Sequence, residues 1–514
     1  MRHVKSWLAA IVTMGAIVSW LAAPAGAQML PSDAAKTCVV ADLGKWFYRG
    51  QVTPNGAVRP PDGSTFPGNN TTCTFYQWGA QMFLWLTSEE GGRLIMDGPQ
   101  LFNVLPSDDG KRTMVQNGYG PQMVEVRAGK GEEVGELAQA GSAGVLMSQA
   151  KSLVYYGIAV NNVYAYFTSG YKAATGGDGL KAMKDFPNTG QQALDVVQYA
   201  VQTFPRPDVF EAQDLLSMEM KSSWVDASTV DASKYVTIDA VVPNYTANAG
   251  NTVMTVDPTN PTIPMKLALT GIHVVGTVQN HPEFVWATFE HVDNAPDADF
   301  YYNTAVSQQP LLKAYSTSGN YTFRASGVAL SDANTECAIQ VQSYQVGKPG
   351  FEGLKAGDIV AVDSNQKPVT AGGQPACRGG IVPSDTVRAR PWGSKSSADN
   401  AGNNTELIAI NNSVLGQLAP GDIRKNYVQI GAIWTSQPQG APKAPIPYQG
   451  DTTKADLRGS LNLYNSTMET YTYPDSFAPN CFSCHQLSKD AKNSFGAFGL
   501  SHIFSELQPL QGTP

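Results

Sequence analysis

KLALTGIHVVGTV (266–278) and FVWATFEHVD (284–293) are two runs rich in Val, Ile, Thr and aromatic residues, separated by QNHPE (279–283). Such side chains fit a pleated, half-buried surface, and two runs of this kind around a short polar turn predict a β-hairpin. With Val278 opposite Phe284, His273 faces Phe289, and His291 lies diagonally from His273 on the same surface. That register makes His273 and His291 a candidate pair for metal or haem contact. The simpler alternative is two hydrogen-bonded histidines on a half-buried sheet, since a bound metal wants a third ligand. His281 falls in the turn, where solvation is expected.

Around the hairpin, residues 215–225 (LLSMEMKSSWV) and 235–242 read as further strands, with Met218 and Met220 on the face opposite Glu219 and Lys221. Residues 152–168 read as one or two strands with a break at Asn161-Asn162, and 427–434 as strand or helix. Helices are predicted over 73–87, where Phe75, Trp78, Met82, Trp85 and Leu86 recur at helical spacing, and over 190–203 and 406–418. Residues 53–70 and 386–405 read as loops, and 320–385 as a loop-rich insertion of short strands and turns. The fold expected is α+β: a large antiparallel β-rich body (28–435) with peripheral helices, a linker with four prolines and two glycines (436–455), and a short helical C-terminal segment (456–514).

The chain opens with basic Arg2 and Lys5, an apolar run from Trp7 to Ala23, and Ala25-Gly26-Ala27, the pattern of a cleaved secretory signal over residues 1–27. A periplasmic or secreted location is therefore expected, with no membrane span after cleavage. The formal net charge of −8 argues against nucleic acid as a partner and fits steering toward a protein with a basic patch. Of the six cysteines, Cys38, Cys73, Cys337 and Cys377 stand singly, and in an oxidising compartment disulfides are their default state. The local pairs Cys38–Cys73 and Cys337–Cys377 are favoured, each contributing about 3–4 kcal/mol through loop restriction.

The last two cysteines stand in Asn480-Cys481-Phe482-Ser483-Cys484-His485. Two thiols three apart, followed at once by His, match the attachment pattern of haem c. On a helix these positions share one face, so both sulfurs add to the two vinyl groups while His485 reaches the iron. One covalent haem held by Cys481, Cys484 and His485 is the cofactor expected. A thiol-exchange pair would want a βαβ context, zinc would want a second Cys or His pair, and a disulfide leaves His485 unexplained. Met468 is a candidate sixth ligand, on a helical face with Leu461, Tyr464 and Tyr471; a core methionine is its alternative role, and His273 and His291 are rivals. After the motif, Leu500, Ile503, Phe504 and Leu507 form an apolar stripe that predicts a short helix, with His502 on its other side. Only 29 residues follow His485, so the upstream body must help hold the group. No dinucleotide fingerprint, phosphate loop, nucleophile elbow or zinc helix is present, and the acids 293, 297 and 299 lack the calcium-loop glycine and glutamate.

Taken in order, MEMKSSW (218–224), ALTGIHVVGTV (268–278), VWATFEHVDNAP (285–296), NYVQIGAIW (426–434), STMETY (466–471), NCFSCH (480–485) and LSHIF (500–504) resemble a broad group of bacterial exported proteins that end in a haem c motif. The resemblance spans roughly residues 75–505, with a long variable insertion near 320–385. It implies a c-type haem at Cys481, Cys484 and His485 and says little about substrate. Three functions fit these readings: electron transfer as a redox subunit, a haem enzyme with an open iron site acting on peroxide or a small reductant, or a ligand-binding protein whose haem is structural or sensory.

Overall fold

The hairpin forms, with a tighter turn than its sequence predicts. In the computed structural model the strands run Thr262–Val278 and His281–His291, joined by Gln279 and Asn280, with Asn280 in the left-handed region that Asn tolerates (φ 66°). Val278 pairs with His281, but the next pair is Gly276 with Val285. Pro282, Glu283 and Phe284 therefore oppose the single residue Thr277, and Phe284 takes φ 65°. Pro282 lacks the N–H that would continue the ladder, which is a physical reason for a bulge here. Beyond it His273 pairs with Thr288 and Ile272 with Phe289, one residue away from the register expected. A one-residue slip sends every side chain of a strand to the other face, so His273 and His291 lie on opposite faces of the sheet.

The structure describes residues 30–68, 70–106, 111–117, 122–123, 143–174, 177–204, 210, 212–307, 309–369, 373–377, 379–388, 396–438, 440–447, 457–472, 480–486 and 496–510; the expected signal segment lies outside them. The architecture is α+β. The main sheet is an antiparallel path in the order Leu457–Gly459, Tyr427–Thr435, His281–His291, Thr262–Val278, Met218–Asp226, Tyr155–Asn161, Leu101–Pro106, Arg112–Gln116. Thr237–Pro243 pairs with the first half of the long Thr262–Val278 strand. Ten strands belong to this sheet, and a separate four-stranded sheet takes in Ala338–Gln340 and Ile359–Ala361 from the insertion.

Alternation along the strands gives the sheet two apolar faces. One carries Met218, Met220, Ile272, Val274, Ala287 and Phe289, covered by the helices Thr72–Leu86 and Ala398–Gln417. Phe83 stacks on Phe289 at 4.6 Å and Phe75 on Trp434 at 4.0 Å. The other face carries Val275, Phe284, Trp286 and Ile433, and it buries Phe167, Phe186, Leu463, Phe482, Leu500, Ile503, Phe504 and Leu507. Both expected disulfides form, Cys38–Cys73 and Cys337–Cys377.

Three elements differ from expectation. Residues 152–168 hold one strand, Tyr155–Asn161, and then a helix, Asn162–Lys172. Asn161 makes the switch: its Oδ1 accepts from the Tyr164 N–H at 3.0 Å as an N-cap, and also from the Met218 N–H at 3.0 Å. The helix expected to begin at Glu406 begins at Ala398, because Ser397 caps it and Ala401, Asn404 and Thr405 are buried, Asn404 Nδ2 donating to the Tyr301 carbonyl at 2.8 Å. Tertiary burial overrides the low helix propensity of this Asn- and Gly-containing stretch. The segment 436–447, read as linker, is tied down where Ala444 N–H donates to the Asn280 carbonyl at 2.8 Å and Thr435 Oγ1 to the Pro445 carbonyl at 2.8 Å.

Asn161→Ala removes the cap and leaves two buried N–H groups and the Leu216 carbonyl without this partner. We expect a loss of about 2–4 kcal/mol in urea unfolding, a cap plus buried unsatisfied groups; a change under about 0.5 kcal/mol, the usual range of a surface substitution, contradicts it.

Candidate functional site

The Asn480–His485 segment reaches the sheet through a single tight turn rather than an α-helix. Cys481–Ser483 is 3-10, the Asn480 N–H donates to Ser483 Oγ at 3.3 Å, and the His485 N–H donates to the Cys481 carbonyl at 2.8 Å. That last bond closes one helical turn and so keeps the i, i+3, i+4 relation among Cys481, Cys484 and His485. Phe482 is buried and meets Trp286 edge-on, with ring centroids at 5.9 Å. Residues 496–507 form a 3-10 helix (Gly496–Leu500) and simple turns instead of the predicted helix, although all four residues of the apolar stripe are buried as expected. Short contacts to the body hold them: the Lys172 ammonium donates to the Leu507 carbonyl at 2.8 Å, and Arg112 pairs with Glu506 at 2.5 Å.

His485 is oriented from three directions. Its Nδ1 lies 2.8 Å from the Leu500 carbonyl, an acceptor, so Nδ1 carries the proton and Nε2 keeps its lone pair. Its ring lies against Trp286, with centroids at 4.3 Å, and stacks on His502 at 4.0 Å and 17°. Trp286 is itself fixed, its Nε1 donating to the Glu283 carbonyl at 2.9 Å. Burial pushes the His485 imidazole well below its ordinary value, and His502 adds to the effect. The ring therefore stays neutral at neutral pH, the state a metal ligand requires.

Both thiols are unpaired while the other four cysteines are joined in disulfides. Burial raises the Cys481 and Cys484 thiols above their ordinary values, with Glu469 adding to both. Among the described residues no group of three His, Cys, Asp or Glu is arranged to hold a bare metal ion.

Beside the motif lies a charged cluster that the sequence reading missed. His273 Nε2 is 2.9 Å from Glu469 Oε1, and Lys221 Nζ is 3.7 Å from the same oxygen. His273 and Lys221 are paired neighbours on adjacent strands, and His273 is diagonal to Trp286 on the same face. Burial works to raise the Glu469 carboxyl, but His273 and Lys221 outweigh it and hold it below the usual carboxylate range. The 465–469 segment is seated by a buried carboxylate: Glu290 accepts from the Ser466 N–H at 2.7 Å and from Ser466 Oγ at 2.6 Å, and Arg388 Nε donates to Glu290 at 3.2 Å. Gly271 permits the close approach, since a Cβ there would come within 2.8 Å of Thr467 Oγ1. Of the cluster's members His273 is singled out from the sequence, while Lys221 and Glu469 are marked only by falling within MEMKSSW and STMETY.

The remaining candidates separate. Met468 is fully buried in a different apolar cluster, with Leu146, Val154, Tyr156 and Phe323, so its described neighbours are core residues and not the motif. His291 is fully buried: Nε2 donates to the Lys234 carbonyl at 3.1 Å, Nδ1 accepts from the Asp293 N–H at 3.1 Å, and the ring stacks on Tyr235 at 3.7 Å. Both nitrogens are committed, so His291 is a structural histidine. His281, expected in solvent, is buried against Phe66 and Phe75 and pairs with Glu283 at 2.8 Å, because the tight turn draws it into the second strand. His502 lies off the apolar stripe as expected, yet it meets the motif. A ring stacked on His485 sits beside that imidazole, not across a bound metal from it.

Burial lowers His291 from 6.5 to about 3. The unfolded chain then binds the extra proton between these values, so stability is lost as pH falls below 6.5 toward 3, at no more than about 1.4 kcal/mol per pH unit from this group. Melting temperatures measured across that window should fall less steeply for His291→Phe than for the parent chain; parallel curves exclude His291 as a source of acid lability. No family model, curated protein or solved structure matches the chain, so the reading of this site rests on its own residues and geometry.

Proposed function

We propose that this chain is a periplasmic c-type haem protein carrying one haem on Cys481 and Cys484, with His485 as the axial ligand, and that it serves electron transfer as a redox protein or subunit. The observation that carries the reading is the state of His485. It is neutral, its Nδ1–H is taken by the Leu500 carbonyl at 2.8 Å, and Nε2 keeps its lone pair. A hydrogen bond from the second ring nitrogen is what fixes the tautomer and raises the basicity of a ligating histidine. Two unpaired thiols at the right spacing supply the covalent anchors. The cofactor would supply reversible one-electron chemistry at its iron. The chain's residues do the rest. Trp286 and His502 hold the imidazole plane, Phe482 and Leu500 exclude water, and Glu469 places a carboxylate within electrostatic reach of both thiols. The acidic chain favours a partner presenting a basic patch, with association slowed by salt.

The placement of Met468 favours the second reading, a haem enzyme with an open iron position. The Met468 thioether lies in a separate core cluster, and His273, whose charge is felt at His485, is engaged by Glu469.

Purified from a host that matures c-type proteins, the chain should retain haem on a denaturing gel, and Cys484→Ser should weaken or lose that stain. A colourless parent protein overturns the assignment. A reduced spectrum unmoved by carbon monoxide supports electron transfer, and a carbon monoxide complex supports the open site. Met468→Ala should cost about 2–5 kcal/mol in unfolding, as a buried truncation, with the visible spectrum unchanged; an altered spin state restores Met468 as ligand.

A further inference from the structure

A cleft of about 790 Å³ lies apart from the cysteine motif and shares no lining residue with it. That volume is in the range of small-molecule sites, roughly 300–1,000 Å³. One wall is apolar, with Val292, Ala295 and Leu415. Of the charged groups that line it, most are already satisfied. Arg388 is neutralised by Glu290 at 3.2 Å and Asp297 at 2.9 Å, which also occupies Asp297. Asp422 is held by Arg424 at 2.6 Å in full burial. Two cations remain, Lys36 and Lys425, and neither pairs with a carboxylate among the described residues. Lys425 is anchored, its ammonium donating to the Leu418 carbonyl at 3.1 Å.

A cleft lined both by apolar Val292, Ala295 and Leu415 and by two lysines without a carboxylate partner among the described residues, on a chain of net charge −8, selects for a ligand with an apolar body and a negative head. We propose that this cleft binds an amphipathic organic anion of the carboxylate class, its head at Lys36 and Lys425 and its chain against Val292, Ala295 and Leu415. Arg388 with Glu290 and Asp297 carries one negative charge in sum, so the two lysines leave the cleft with a net positive charge of one. This site is independent of the haem reading, because none of its residues touches the motif.

The test is calorimetric titration of the full chain with octanoate, octanol and octylamine, which share an apolar body and differ in head charge. Octanoate should bind saturably, with octanol about ten-fold weaker, a difference on the order of one charged contact, and octylamine not at all. The double variant K36M/K425M should lose about ten-fold in octanoate affinity and keep that for octanol, and Lys425→Arg should retain octanoate binding. Absence of saturable octanoate binding, equal affinity for the three compounds, or an unchanged octanoate affinity in the double variant overturns the proposal. Matching melting curves for parent and variants separate a lost contact from a lost fold.

Discussion

The register of the central hairpin is the constraint on which the rest of this molecule depends. Its two-residue turn pairs Val278 with His281, and the bulge at Pro282–Phe284 then moves the partners along by two residues, an even number that keeps the faces, so the turn decides which side chains each face presents. With it, Trp286 and His273 stand on the face that receives the C-terminal segment, while Ala287, Phe289 and His291 turn toward the helices. A turn one residue longer would send the ring that supports His485 into the opposite layer and bring His291 to the side of His273.

The C-terminal segment is short, yet it is held as part of the main body rather than beside it. Apolar burial supplies the area: Leu463, Phe482, Phe498, Leu500, Ile503, Phe504 and Leu507 share one cluster with the sheet. Polar contacts supply the position. Ser501 Oγ donates to Glu219 at 2.6 Å and meets the Tyr164 hydroxyl at 2.7 Å, and Tyr156 donates to the Thr467 carbonyl at 2.7 Å. A buried hydroxyl or carboxylate left without its partner costs more than an average hydrogen bond returns, so these contacts specify one seating among many of similar apolar area. The consequence for function is orientation: the Leu500 carbonyl that fixes His485 is delivered by the same segment that buries the motif.

Electrostatics divide the charged groups into two kinds. Glu290–Arg388 and Asp422–Arg424 are buried; the first joins segments distant in sequence directly, and the second through Arg424 donating to the Gly56 and Leu84 carbonyls and Asp422 accepting from the Asn55 N–H. Lys221, Glu469 and His273 are partly exposed and stand next to the thiols, where they shape the local field. The first kind positions the second, since Glu290 seats the turn from which Glu469 projects.

Local chemistry made several features legible in the chain itself. The hairpin, the strand over 218–226, the helices over 72–86 and 190–203, the two disulfides and the Cys481–His485 pattern follow from periodicity, turn residues and cysteine spacing, each confined to a few neighbouring residues. Tertiary structure alone decided the rest. It decided the face of His273, because register is set by a turn whose length no periodicity reports. It decided the core role of His291 and the separation of Met468 from the motif, because burial depends on what packs from elsewhere. And it decided the pairing of His485 with Trp286, His502 and the Leu500 carbonyl, contacts between segments that come together only once the sheet has chosen its register.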